Sequence, residues 1–145
     1  MKALLQRVRS ARVDVDGSCI GEIDQGLLVF LGIEKADDES VLEKLLERLL
    51  NYRVFADEQG RMNCSLRDVD GGLLLVSQFT LAAETGKGRR PGFSTAAEPQ
   101  RAKQLYDHAL VWLEARHSKL ASGEFGADMQ ISLVNDGPVT FLLEQ

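Results

Sequence analysis

At 145 residues the chain has the length of one ordinary domain, enough to bury roughly two-thirds of its unfolded surface without a disulfide or a structural metal. Hydrophobic residues make up 44% and charged residues 27%, the balance of a globular protein, and the net charge of −5 excludes a protein that coats nucleic acid by bulk electrostatics. No apolar run approaches about 18 residues, and the start Met1-Lys2-Ala3-Leu4-Leu5-Gln6-Arg7 meets charge too soon for a signal peptide, so a soluble cytoplasmic protein is expected.

Residues 2–15 read as a strand, with Val8, Val13 and Val15 among charged neighbours. Asp16-Gly17 is a turn signal. A second strand follows and ends in the block Leu27-Leu28-Val29-Phe30-Leu31, with a bend expected near Glu22, Asp24 and Gln25-Gly26. Together they predict a long N-terminal hairpin. Asp37 and Asp38 then offer a helix cap and first-turn negative charge. Val41, Leu42, Leu45, Leu46, Leu49 and Leu50 recur at helical spacing and predict one core-facing stripe. Residues 52–70 are rich in turn formers, with Asp57-Glu58-Gln59-Gly60 as a hairpin tip.

Leu73-Leu74-Leu75-Val76 has the continuous apolar character of a buried strand, and it runs into Ser77-Gln78-Phe79-Thr80-Leu81. Residues 83–98 form a loop of Gly, Pro, Ser and Thr. Pro99 suits the first turn of a second helix, whose predicted stripe is Ala102, Leu105, Tyr106, Ala109, Leu110 and Leu113. Residues 128–134 alternate Met129, Ile131 and Leu133 with polar neighbours and predict a strand. Asn135-Asp136-Gly137-Pro138 interrupts it, and Val139, Phe141 and Leu143 resume the alternation. Strands at both ends with two helices between them predict a single α+β domain over residues 1–145. Its core is expected to be a mostly antiparallel, barrel-like sheet.

Familiar catalytic machinery is missing. His108 and His117 are nine residues apart, about 900° of helix, and so point to opposite faces. No HExxH, phosphate-binding loop, GxGxxG or nucleophile elbow is present. Cys19 and Cys64 have no partners at zinc-ligand spacing and are expected to be free, mostly buried thiols. No metal or cofactor is expected.

Two segments stand out. Ser77, Gln78 and Thr80 place polar groups at the edge of a buried run, where they either satisfy neighbouring strands or face a ligand. Pro138 within an alternating strand marks either a hairpin turn or a rigid backbone feature aimed at a ligand. Spacing alone does not separate these readings.

Together, Ser77-Gln78-Phe79-Thr80-Leu81 and Asn135-Asp136-Gly137-Pro138-Val139-Thr140 resemble the paired signatures of the D-aminoacyl-tRNA deacylase family. The resemblance extends in order to Gln6-Arg7-Val8, Gly21-Glu22-Ile23, Gly26-Leu27-Leu28, Phe93-Ser94 and Ala127-Asp128-Met129. It implies a hydrolase that cuts the ester between a D-amino acid and its tRNA. It also implies a homodimer with its active site at the subunit interface, where a cis Gly137-Pro138 from one subunit enters the pocket of the other. Ser77, Gln78, Phe79 and Thr80 would line that pocket, with N–H groups near Phe79 and Thr80 stabilising the oxyanion. Arg7 would brace the Gly-Pro segment of the partner or of its own subunit, though a surface strand arginine is the plainer reading. Phe125 and Met129 would flank the terminal adenosine, or simply pack in the core.

The logic of such a site is chirality read at the α-carbon. A side-chain pocket discriminates by only a few kcal/mol, and differently for each amino acid. If the carbonyls of Gly137 and Pro138 hold the α-amino group, an L side chain is driven into the wall while a D side chain points out. Glycine has no side chain to exclude, so glycyl-tRNA is expected to be cleaved as well. Thr80 as a covalent nucleophile has no nearby histidine. A water assisted by the tRNA's own ribose 2′-OH is the favoured scheme. The basic loop Lys87-Gly88-Arg89-Arg90 is either solvated or touches the acceptor-end backbone of aminoacyl-tRNA. A non-catalytic RNA-end binder and an esterase of small acyl esters are the rival readings.

Overall fold

The computed structural model describes residues 1–86 and 88–145. Strand β1 (Lys2–Val15) forms the spine of the main sheet. It turns at Asp16-Gly17, both with positive φ, into β2 (Ser18–Ile23), and the chain resumes as β3 (Gly26–Gly32). Both pair antiparallel with β1, β2 along its second half and β3 along its first, as the expected bent hairpin. Helix α1 (Glu39–Leu50) follows, then the short hairpin β4 (Phe55–Ala56) and β5 (Met62–Cys64), with Gly60 at positive φ in its tip. Strand β6 (Gly72–Ser77), helix α2 (Pro99–Glu114), β7 (Leu120–Ser122) and β8 (Gln130–Glu144) complete the chain.

The sheet is mixed. β6 lies parallel to β3, β7 lies parallel to β6, and β8 returns antiparallel along the other edge of β1. Antiparallel pairing thus organises the β1 side, as expected, while each helix serves as the crossover that a parallel pair needs. β3 and β6 run unusually close: a Cβ built on Gly26 would lie 1.9 Å from the Gly72 carbonyl oxygen. β2 curls over β7, where a Cβ on Gly21 would lie 2.8 Å from the Ser122 carbonyl oxygen, so the sheet nearly closes into a barrel.

The period of two along β3 and β6 divides the core. Leu27, Val29, Leu31, Leu73 and Leu75 face the leucine stripe of α1 and the Leu105, Tyr106, Ala109 and Leu113 stripe of α2. Leu28, Leu74 and Val76 face the barrel interior with Val8, Ala11 and Val13. Strands covered on both sides explain the unbroken apolar run. Each fully buried leucine contributes about 2 kcal/mol by area burial. On α2, Trp112 is buried and Leu110 only half-buried, the reverse of the predicted stripe; the Arg116 guanidinium covers the outer face of the indole. Both cysteines are free, but Cys19 is exposed and Cys64 half-buried, so the expectation of buried thiols fails. Cys19 lies on the short strand just after the turn, where little covers it.

Asp38 caps α1 by accepting from the Val41 N–H at 2.8 Å. Asp37 has a different task. It is buried, accepts from the Glu34 N–H at 2.6 Å, and takes the Met1 ammonium at 2.9 Å, while Glu34 takes the same ammonium at 2.8 Å. Burial pulls the ammonium's pKa down, but the hydrogen bonds and charges of the two carboxylates outweigh it and leave it above 8.0. The hydrogen bond from the ammonium holds Glu34 below the usual 4.5.

The sign of the linkage follows. The raised ammonium stabilises the fold fully below pH 8.0 and loses this as pH rises through its folded value; the depressed Glu34 stabilises above pH 4.5 and loses this as pH falls through its folded value. The stability difference between the native chain and Glu34→Gln should therefore be on the order of 1 kcal/mol near neutrality and shrink on both flanks. Urea unfolding across pH checks this, and a difference that stays flat from acid to alkali contradicts it.

Candidate active site

β6 delivers Ser77 to the end of the core opposite Leu31. The Gln78 N–H extends the ladder by one bond to the Leu31 carbonyl at 2.8 Å, and the chain then coils into a 3-10 turn over Phe79–Ala82. The N–H groups of Phe79 and Thr80 open that turn and have no acceptor within it. The Gln78 carboxamide donates to the Thr80 hydroxyl oxygen at 2.6 Å. Gly32 lets the turn press on β3, since a Cβ there would lie 2.7 Å from the Leu81 Cβ. The loop beyond is tied down by the Thr95 hydroxyl on the Ala82 carbonyl and by Ala97 N–H on the Ile33 carbonyl.

Beside this turn lies a cleft of about 460 Å³, lined by Ser77, Gln78 and Phe79 together with Phe125 and Met129. Apolar residues extend it: Ile33, Ala97 and Ala102 from the helix-side core, Val76 and Ile131 from the barrel side, and the exposed Pro99 at the start of α2. None of these six was expected in the site from sequence, because an apolar residue that lines a cleft has the same pattern as one that fills a core. Phe79 is 60% exposed and packs on Phe93, with ring centroids 5.1 Å apart. Tyr106 supports the floor: its hydroxyl donates to the Leu75 carbonyl at 2.9 Å, with the Gly123 carbonyl sharing the proton at 3.2 Å, and its ring meets Phe125 at 5.9 Å. Burial pushes the phenol's pKa up, so it remains a donor.

The other motif lies elsewhere. β8 does not stop at Asn135: it continues through residue 144 with a bulge. Gln6 opposes Thr140 and Val8 opposes Asn135, so two steps along β1 match five along β8. The Gly137–Pro138 peptide in this bulge is cis, and both residues are exposed. Arg7 clamps the bulge's base: Nε donates to the Asp136 carbonyl at 3.1 Å, and Nη1 donates to the Val54 carbonyl at 2.7 Å. The Asp136 carboxylate lies 3.4 Å from Arg7 Nε and 3.2 Å from Arg9 Nε.

The structure thus brings together Ser77, Gln78, Phe79, Phe125 and Met129, with Thr80 one residue further along the turn. Gly137, Pro138 and Arg7 are not among the lining residues of that cleft. Arg89 and Arg90 are exposed in the loop before α2, and Lys87 lies outside the described residues. His108 bonds Glu43 of α1 and the buried His117 bonds the Gly71 carbonyl, so neither histidine serves the cleft. No group of three metal-ligating side chains occurs among the described residues, and no helix there is long and apolar enough to cross a membrane.

The family model described as D-Tyr-tRNA(Tyr) deacylase matches residues 4–144. D-aminoacyl-tRNA deacylases of Cellvibrio japonicus (strain Ueda107) and Pseudomonas fluorescens (strain SBW25) are 61% and 62% identical over 144 residues, covering 99% of this chain and 99% of each relative. Among solved structures, the c-Myc DNA Unwinding Element Binding Protein superposes with TM-score 0.95 at 41% identity, covering 100% of this chain and 99% of that one. A structure described as a probable eukaryotic D-amino acid tRNA deacylase shares the fold, with TM-score 0.85 at 17% identity over 98% of this chain and 97% of the other. With its two signature segments on a strand-ending turn and a strand bulge, and with these likenesses running its whole length, the chain belongs to the D-Tyr-tRNA(Tyr) deacylase family.

Proposed function

We infer that this chain hydrolyses the ester bond of D-aminoacyl-tRNA, releasing free D-amino acid and tRNA, and that it spares L-aminoacyl-tRNA. The observation that carries the reading is the division of labour within one chain. The open turn at Phe79–Thr80 borders an apolar cleft, and a preformed, exposed bulge at Gly137–Pro138 stands outside it. A site that uses both needs the bulge of a second copy. The exposed Val134 and Leu142 on β8, 52% and 50% accessible, flank the bulge and suit a homodimer contact. A reaction on charged tRNA fits an enzyme of the cytoplasm.

In this arrangement the terminal adenosine lies against Phe125 and Met129. The ester carbonyl faces the N–H groups of Phe79 and Thr80. They hold the oxyanion formed when water adds to the carbonyl carbon; the 3′-oxygen of the ribose then leaves with a proton. The carbonyl oxygens of Gly137 and Pro138 accept from the α-ammonium. With the amine and ester both fixed, the α-hydrogen and the side chain have only two places to go. An L side chain meets the cleft wall; a D side chain points to solvent. The rejection is steric, so it applies to every side chain alike, and glycine passes.

The Thr80 hydroxyl accepts from Gln78, and both imidazoles are engaged elsewhere, with Glu43 and with the Gly71 carbonyl, so neither histidine is placed to activate it. The ribose 2′-OH assists the attacking water in its place. Arg89 and Arg90 meet the acceptor-end phosphates.

On D-tyrosyl-tRNA and glycyl-tRNA the purified protein should release free amino acid, with L-tyrosyl-tRNA slower by a factor on the order of 10³ or more. Equal release from the D and L forms would refute chiral selection, and release from small acyl esters alone would favour a general esterase. A tRNA ending in 2′-deoxyadenosine should lose about 10²- to 10⁴-fold in kcat, whereas Thr80→Ala should lose far less. Abolished turnover in Thr80→Ala with tRNA binding intact would instead make Thr80 the nucleophile. Charge reversal of Arg89 and Arg90 should lower the salt slope of tRNA binding by about 1 per lost phosphate contact, and an unchanged slope would exclude the contact.

A further inference from the structure

The bulge on β8 closes on itself through one side chain. Between its neck residues, Asn135 and Thr140, the backbone has left the β1 ladder, and ordinary rungs are missing. The Asn135 Oδ1 accepts from the Val139 N–H at 2.9 Å, and its Nδ2 donates to the Thr140 hydroxyl oxygen at 2.9 Å. Gln6 on β1 donates to that same oxygen at 3.2 Å. A carboxamide has the acceptor and the donor of a peptide group. Here it stands in for the missing rung, and through Thr140 and Gln6 it refers the bulge back to β1. Arg7 and Arg9 fix the opposite limb through Asp136. Between these two anchors only Gly137 and Pro138 project.

We propose that Asn135 is a positioning residue for chiral selection: its carboxamide sets where the Gly137 and Pro138 carbonyls stand. This rests on the reading above in which those carbonyls hold the substrate amine. Asn135 touches no substrate. It acts by fixing the distance between the amine acceptors and the ester, and that distance decides whether an L side chain collides. A displacement of about 1 Å in such a constellation changes rates by about 10²-fold. Loss of Asn135 therefore relaxes selectivity rather than merely slowing turnover.

The test compares kcat and KM on D- and L-tyrosyl-tRNA for the native enzyme, Asn135→Ala, Asn135→Asp and Thr140→Val. Asn135→Ala removes both neck contacts and should lower the D/L ratio of kcat/KM by about 10- to 100-fold while the melting temperature changes little. Asn135→Asp keeps the acceptor for Val139 and lets the Thr140 hydroxyl donate in the other direction, so it should restore most of the ratio. Thr140→Val removes only the hydroxyl end and should fall between them; it carries the test if Asn135→Ala fails to fold. Gly137→Ala serves as the control for the underlying reading. Gly137 has φ +132, and a Cβ there would lie 2.8 Å from Val139 Cγ2, so this change must shift the carbonyls. If Gly137→Ala loses the ratio while Asn135→Ala and Thr140→Val keep it, the role of Asn135 is overturned and the amine reading stands. If none of the variants changes the ratio, the amine reading fails as well.

Discussion

Strand β1 is paired along both of its edges, and that double commitment governs the molecule. On one side β3 holds it in register over seven residues; on the other β8 follows it from Lys2 to Asp14. Because β3 fixes β1, the excess length in β8 cannot be absorbed by slippage, which would turn every side chain to the wrong face. It is forced out as a bulge, and Arg7, itself on β1, grips its base. The same register continues through β3 to β6 and brings Ser77 to the rim of the core. Both halves of the proposed chemistry are thus placed by one strand.

Much of this was legible in the residues. The hairpin, both helices, the β4–β5 tip and the buried strand before Ser77 follow from periodicity and turn chemistry, because each is a local consequence of which residues alternate and which cap. What stayed hidden depends on long-range packing. β7 is three residues long and half-buried, and it exists because β6 offers it an edge. Trp112 and Leu110 flank the α2 stripe at nearly equal angles, so spacing does not choose between them; Trp112 is the buried one, with Arg116 covering the indole's outer face. β8 carries on past Gly137-Pro138 by way of a bulge, where a turn was as good a reading, because β1 resumes pairing beyond it. Cys19 is exposed because β2 is short and sits at the edge of the sheet.

The site was legible in a different way. The polar residues of the cleft announced themselves by interrupting an apolar run, and resemblance gave them a meaning. The apolar half of the cleft had no such signal. Ile33 and Ala102 belong to the core and differ from its other members only in bordering the cleft. The separation of Gly137 and Pro138 from the cleft within one chain was implied by the resemblance alone and by no spacing of residues. It is the geometric fact behind assigning the two motifs to different copies.

That separation reaches into genetics. Under the proposed pairing of two copies, each reaction centre would borrow its cleft from one polypeptide and its bulge from its neighbour. Two defective alleles, one damaged around Thr80 and the other around Gly137, would each be silent alone. Expressed in one cell they would form mixed pairs, and in every such pair one centre unites the two undamaged pieces. Lesions in distant parts of the gene would then rescue each other, whereas two lesions within the same segment would not.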